Sequence, residues 1–201
     1  MKIKNFLIVI LATAMFAACE KNPYGPTNHT PEPDKPKPEQ SAVTTKGDYA
    51  KGADISWLTQ MEADGQKFYT AAGKEMECTA LMKELGFNAI RLRVWVDPFE
   101  GWCAKEDVLV KAKRAQELGM RIMIDFHYSD TWADPSNQKT PAAWAALPIY
   151  ELASAVETHT KETLQLLKDN KVDVEWVQVG NETNSGMLHP LGKISDNADN
   201  Y

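Results

Sequence analysis

Cysteine is scarce in this chain, with 3 in 201 residues. None stands at Cys-x-x-Cys or Cys/His ligand spacing, so a metal centre is not indicated. Basic residues are outnumbered: 22 Lys and Arg face 28 Asp and Glu, for a formal net charge of -6. No cluster of them is interleaved with aromatics, which argues against a nucleic-acid partner. No Gly-x-Gly-x-x-Gly follows any candidate strand, and that removes the commonest signature of a dinucleotide-binding sheet. Long apolar runs are missing too. The most membrane-like stretch, Phe6 to Ala17, falls short of the roughly 20 residues that a spanning helix needs. What is present is an ordinary soluble composition, 43% hydrophobic and 25% charged, able to bury a core.

Lys2 and Lys4 precede that apolar run, which gives it the shape of a secretory signal absent from the mature protein. It ends Phe16-Ala17-Ala18-Cys19, which resembles a bacterial lipobox. Residues 1–19 are therefore expected to be a signal whose Cys19 becomes a lipidated N-terminus that holds the protein on a membrane. The other reading is a cleaved signal with a stray cysteine. The first implies an exported lipoprotein at the outer membrane or cell surface, the second a periplasmic or secreted protein. Residues 20–46 are rich in Pro, Lys, Glu, Asp and Thr, including Pro31-Glu32-Pro33-Asp34-Lys35-Pro36-Lys37-Pro38. With no apolar periodicity to oppose the prolines, this reads as a disordered, partly polyproline linker. The sequon Asn28-His29-Thr30 carries no information behind a bacterial export signal.

Residues 47–201 carry the fold. Short apolar runs alternate with helix-like segments: a strand at Lys51–Ile55 and a helix at Lys74–Leu85 with Cys78, Leu81, Met82 and Leu85 at helical spacing; a strand at Asn88–Val96 and a helix at Lys105–Leu118; a strand at Arg121–His127 and a helix at Tyr150–Asn170; then a strand opening at Val174. Crossovers of this length imply a parallel sheet covered by helices. A doubly wound sheet and a (β/α)8 TIM barrel both fit. Polar residues gather just after the ends of several different strands, as they do on a barrel's C-terminal face. The expectation is α/β, a TIM (β/α)8 barrel of which about the first four units are present.

The run Val174-Glu175-Trp176-Val177-Gln178-Val179 ends in Gly180-Asn181-Glu182. A carboxylate at the end of a buried strand either caps a loop or does chemistry. Strand alternation decides what keeps it company. If Glu182 faces the barrel interior, so do Asp54, Arg91, Arg93, Asp125 and His127, while Ile90, Leu92, Ile124 and Phe126 face the helices. Such a charged ring costs too much to bury for stability alone; the alternative is an internal salt-bridge network. Trp57, Trp95, Trp102, Trp132 and Trp144 lie at strand ends or in the following loops. Indole faces stack on sugar C–H faces, and Asp54, Asp97, Asp130 and Asp134 are there to take hydroxyls. His159, on the apolar stripe of the longest helix, is expected to be a packing residue. Cys78 and Cys103 fall near the same end of adjacent units, as a disulfide or as two thiols.

Several segments together resemble the family 53 glycoside hydrolases: Gly52-Ala53-Asp54-Ile55-Ser56, Asn88-Ala89-Ile90-Arg91-Leu92-Arg93-Val94-Trp95, Asp125-Phe126-His127-Tyr128-Ser129-Asp130-Thr131-Trp132-Ala133-Asp134-Pro135, and Gln178-Val179-Gly180-Asn181-Glu182 with Gly186-Met187-Leu188. The resemblance runs from about Ala50 onward, and His189 departs from the aromatic expected there. It implies a retaining endo-β-1,4-galactanase acting on galactan and arabinogalactan side chains of pectin. Glu182 would be the general acid/base, and Asn181 would bind the sugar 2-hydroxyl. Asp54, Arg91, Trp95, His127, Asp130 and Trp132 would support or contact substrate. The nucleophile would lie beyond Tyr201, leaving this chain the N-terminal half. No metal is expected here, although a late loop of some relatives takes calcium. The rivals are another glycanase of the same clan, such as a mannanase or xylanase, and a non-catalytic surface glycan-binding protein.

Overall fold

The computed structural model describes residues 49–197 and 199. The expected signal, Cys19 and the Pro-rich linker all lie outside these residues. Four strands form one parallel sheet: β1 Gly52–Asp54, β2 Ala89–Val94, β3 Arg121–Phe126 and β4 Val174–Val179. Between them run α1 Leu58–Ala63 and α2 Cys78–Glu84, then α3 Lys105–Glu117, then α4 Ile149–Asp169. The spatial order is β1-β2-β3-β4, without the reversal that a doubly wound sheet requires. Right-handed crossovers taken repeatedly in one direction put the helices on one face of such a sheet. The other face is left to the polar ring.

Alternation along the strands divides the residues as their chemistry demands. Ile90, Leu92 and Val94 of β2 and Ile122, Ile124 and Phe126 of β3 all point into the helix layer, each 0% exposed. There they meet Val108, Ala112 and Ala115 of α3 and Leu152 and Leu167 of α4. The two alanines carry the least side chain possible short of glycine, which lets α3 lie close to the sheet. Each fully buried Leu, Ile or Phe contributes about 1.5–3 kcal/mol. On the opposite face the parallel register sets Asp54 beside Arg91, Arg93 beside Asp125 and Asp125 beside Gln178.

Helix ends follow local chemistry. The Glu77 carboxylate accepts the Ala80 N–H at 2.8 Å and caps α2. Glu106 and Asp107 sit in the first turn of α3, where the macrodipole favours acids. Asp107 also accepts the Cys103 N–H at 2.7 Å, fixing the turn that feeds the helix.

The structure refines the expected elements, with α2 beginning at Cys78 where Lys74 was expected. The helix α1 is additional; it is short, and tertiary contacts hold it, with Leu58 buried and Glu62 paired to Arg114 of α3 at 2.7 Å. Leu85, expected on the apolar stripe of α2, is 65% exposed because the helix stops at Glu84. The second strand ends at Val94, since the Trp95 N–H turns to the Cys103 carbonyl at 2.9 Å. Cys78 and Cys103 are both buried and unbonded, so the disulfide alternative falls.

Candidate active site

Arg91 is the hub of the strands' C-terminal ends. Its Nη1 lies 2.7 Å from Asp54 Oδ2 and its Nη2 lies 2.6 Å from Asp125 Oδ2. The same guanidinium donates to Asn181 Oδ1 at 3.0 Å and to Gln178 Oε1 at 3.1 and 3.3 Å. One residue from β2 thus ties together β1, β3, β4 and the loop after β4. A planar fork of five donors is the side chain suited to that task. Burial alone would push the Asp54 carboxyl up, but the Ser56 hydroxyl and backbone N–H, with Arg91, outweigh it and hold the carboxyl below its ordinary value.

Asp125 is fully buried, and its Oδ2 also lies 2.9 Å from His127 Nε2. This oxygen is at ion-pair distance from Arg91 and His127, yet it is aligned for a hydrogen bond with neither. The His127 tautomer follows from its other nitrogen. Nδ1 accepts the Ala133 N–H at 3.1 Å and the Trp95 Nε1–H at 3.4 Å, so the ring proton sits on Nε2, facing Asp125.

Beside the ring, Arg93 is 2% exposed and meets aromatic faces in place of a carboxylate. Its guanidinium carbon lies 3.9 Å from the Trp132 ring centre, 4.7 Å from Trp95 and 5.9 Å from Trp57. Desolvated cation–π contacts of this kind are worth about 2 kcal/mol. Trp57 and Trp132 meet edge to face at 5.7 Å and remain 51% and 42% exposed. They flank a cavity of about 440 Å³ that is also lined by Asp54, Ser56, Phe68 and Arg91.

Trp95 and Asp130, expected to support or contact substrate, are each engaged by protein groups. Trp95 is buried, and its indole N–H is directed at His127. Both Asp130 oxygens accept backbone N–H groups, from Asp97 at 3.0 Å and Ala142 at 2.8 Å, so this carboxylate ties two loops together. Asp134 accepts from Ser136 in a local turn. His159 packs against the rings of Phe126, Tyr128 and Trp144, and burial, followed by Lys105, holds it below its ordinary value.

After β4 the chain turns sharply. Gly180 has φ 82, and a Cβ there would come within 2.7 Å of the Thr183 methyl, so both the conformation and the space call for glycine. Two residues on, Glu182 adopts φ 50, at a cost of about 1–2 kcal/mol for a residue with a side chain. It lies exposed at the rim. Two further side chains shape the site. Gln178 is legible from alternation, which puts it on the inner face of β4 beside Asp125. Gln138, which is buried and donates to the carbonyls of Asn181 and Glu182, left no periodic signal in its loop. Among the described residues no group of three His, Cys, Asp or Glu is placed to hold a metal ion.

A polar ring at the C-terminal ends of sequentially ordered parallel strands, with the helices outside, defines the chain as part of a (β/α)8 barrel. Residues 50–201 match the model of glycosyl hydrolase family 53, and the chain belongs to that family. It is 43% identical over 146 residues to a probable arabinogalactan endo-beta-1,4-galactanase A of Aspergillus tubingensis, covering 73% of this chain and 42% of that protein. It is 40% identical over 147 residues to the endo-beta-1,4-galactanase of Bacillus subtilis (strain 168), covering 69% and 34%. Among solved structures, a fungal beta-1,4-galactanase superposes with TM-score 0.69 at 38% identity, over 72% of this chain and 43% of that one. The GH53 catalytic domain of Ignisphaera aggregans gives 0.70, again at 38% identity, over 74% and 44%. The chain spans about two fifths of the length of the Aspergillus relative, 42%.

Proposed function

We propose that this chain supplies the acid/base half of a retaining endo-β-1,4-galactanase. The observation that carries the reading is the convergence of Arg91, Asp125, His127, Gln178 and Asn181 beside the exposed Glu182, with Trp57 and Trp132 open next to them. Glu182 donates its proton to the glycosidic oxygen as the C1–O bond breaks and the bonding pair leaves with that oxygen. A second carboxylate, about 5–5.5 Å away, forms the new bond to C1. Glu182 then takes a proton from water as that intermediate is hydrolysed. We assign the second carboxylate to a segment beyond Tyr201.

Asn181 is held through its Oδ1 by Arg91 and Gln178 and through its Nδ2 by the Ala133 carbonyl at 2.8 Å. It is thereby set in advance to meet a sugar 2-hydroxyl, a contact that tightens as oxocarbenium character develops. Arg91 and Asp54 keep the ring charged, and His127 helps to hold it rigid. Trp132, backed by Arg93, offers its outer face to a sugar, with Trp57 at its edge. Trp95 and Asp130 act through His127 and through the loops. The lipid on Cys19, with the Pro-rich linker as a stalk, would hold the enzyme at the outer membrane or cell surface; labelling with a radioactive fatty acid, lost in Cys19→Ala, tests that.

In a complete barrel, Glu182→Gln is expected to lower kcat/KM on galactan about 10²–10⁴-fold, the range of general acid catalysis. The loss should be small on an aryl galactoside whose leaving group needs no proton. An unchanged rate on galactan removes Glu182 from this role. The 201-residue chain alone is expected to show no galactan hydrolysis. Product analysis on galactan, mannan and xylan separates this substrate from those of related glycanases.

A further inference from the structure

We propose that Gln138 is a positioning residue whose buried amide fixes the backbone of Asn181 and Glu182, and so sets where the Glu182 carboxyl meets a glycosidic oxygen. The inference rests on the acid/base reading of Glu182. Gln138 is 3% exposed, and its Nε2 donates to the carbonyl of Asn181 at 2.8 Å and of Glu182 at 3.3 Å. Both partners can only accept, so the amide nitrogen has to face them and the orientation of the group is settled. A single side chain therefore holds two successive carbonyls at the residue whose φ is 50.

The neighbouring contacts make this a clamp between two loops. The His189 N–H donates to the Gln138 carbonyl at 2.7 Å, and the Thr140 hydroxyl donates to the His189 carbonyl at 2.8 Å. Asn181 Nδ2 reaches the Ala133 carbonyl at 2.8 Å. Loop 133–140 is thus stitched to loop 181–189 from both ends, and Gln138 is the link at Glu182 itself. No hydrogen bond or ion pair engages the Glu182 carboxylate among the described residues, so its position is inherited from the backbone that Gln138 holds. Displacement of a reacting group by about 1 Å can cost about 100-fold in rate.

The test uses a complete barrel carrying Gln138→Leu, Gln138→Glu or Glu182→Gln, with kcat/KM read on galactan and on a dinitrophenyl β-1,4-galactobioside. Dinitrophenolate departs without a proton, so that substrate bypasses the general acid. Gln138→Leu is expected to lose about 100-fold on galactan and less than about fivefold on the aryl substrate. Gln138→Glu sets a carboxylate against two carbonyls at neutral pH and should lose at least as much. It should then regain galactan activity as the pH falls, when its carboxyl acquires a proton to donate. Equal losses on both substrates, no loss on galactan, or no acid recovery in Gln138→Glu would overturn the proposal. If Glu182→Gln separates the two substrates while Gln138→Leu does not, the positioning role alone fails. If Glu182→Gln does not separate them, the acid/base reading fails and the positioning role with it.

Discussion

The helix-facing sides of β3 and β4 carry the same kind of residue and meet opposite fates. Ile122, Ile124 and Phe126 of β3 are 0% exposed, whereas Val177 and Val179 of β4 are 41% and 64% exposed. Residue type does not account for this, since valine packs as readily as isoleucine on a pleated surface. Position does: β3 pairs on both sides and lies under α3 and α4, while β4 is an edge of the sheet. Apolar alternation specifies a face, and burial comes only from the element laid over it.

The most severe way to break this contrast is Phe126→Ala, which removes a ring stacked on Tyr128 at 5.5 Å and touching His159 at 5.9 Å. The expected loss is about 3–5 kcal/mol. Val179→Ala should cost about 0.5 kcal/mol or less, as exposed positions do. Urea denaturation of both variants checks the pair, and comparable midpoints would refute the account of the edge strand.

The inner faces repeat the contrast between two carboxylates. Asp125 of β3 is buried between Arg91 and His127; Glu182 beyond β4 is exposed and unheld. Asp125→Ala removes the buried negative charge that lies within ion-pair distance of Arg91 and His127. It should cost about 3 kcal/mol, the lower end for breaking a buried pair, because Arg91 keeps some access to water. Glu182→Gln should shift stability by no more than about 0.5 kcal/mol. Thermal melts at neutral pH compare the two, and a large loss in Glu182→Gln would mean that the loop depends on its charge.

Much of this was legible in the sequence, for reasons that the two strands make plain. On β2 and β3 one face is apolar and the other charged, so parity alone placed Arg91, Arg93, Asp125 and His127 together. Parity also puts Gln178 of β4 on that face, whereas Glu182 lies past the end of β4, beyond the Gly180 turn, where alternation no longer applies. The roles of the tryptophans were not legible. Trp95 and Trp132 carry the same indole, and only the fold turns one toward His127 and leaves the other open. Gln138 was hidden for a related reason: its partners lie 43 and 44 residues away in a loop without period. The absence of a Cys78–Cys103 bridge likewise depends on three-dimensional placement that spacing does not convey. The short helix α1 depends on Leu58 packing and the Glu62–Arg114 pair, neither of which a local window contains.

Acid should act on the covered layer first and on the β1 edge later. Burial, and then Lys105, hold His159 below its ordinary 6.5; Glu162 opposes this, and Glu106 and Glu151 line the same cleft. As the pH falls below 6.5 the unfolded chain takes up a proton that the folded chain refuses, so stability present above that value is lost down through the folded pKa. Asp54, also depressed, contributes stability above its ordinary 3.8 that is lost only as the pH falls through its folded value, in stronger acid. Melting temperatures between pH 7.5 and 5 should decline less in His159→Phe than in the parent. Equal slopes would remove His159 as the cause.

The smallest effect sharpens the comparison most. Val179→Thr keeps the β-branched shape that suits a strand and replaces one methyl with a hydroxyl. On an exposed edge the hydroxyl stays hydrated, so the variant should match the parent within about 0.5 kcal/mol. In a complete barrel the next helix would cover this face, and the same hydroxyl, buried without a partner, should cost about 1–3 kcal/mol. Chemical denaturation of the same substitution in both contexts reads the effect of the neighbouring strand and helix that a complete barrel adds to β4. A cost that stays small in the complete barrel would show that Val179 remains open there, and that the exposure of β4 belongs to the strand and not to its position at an edge.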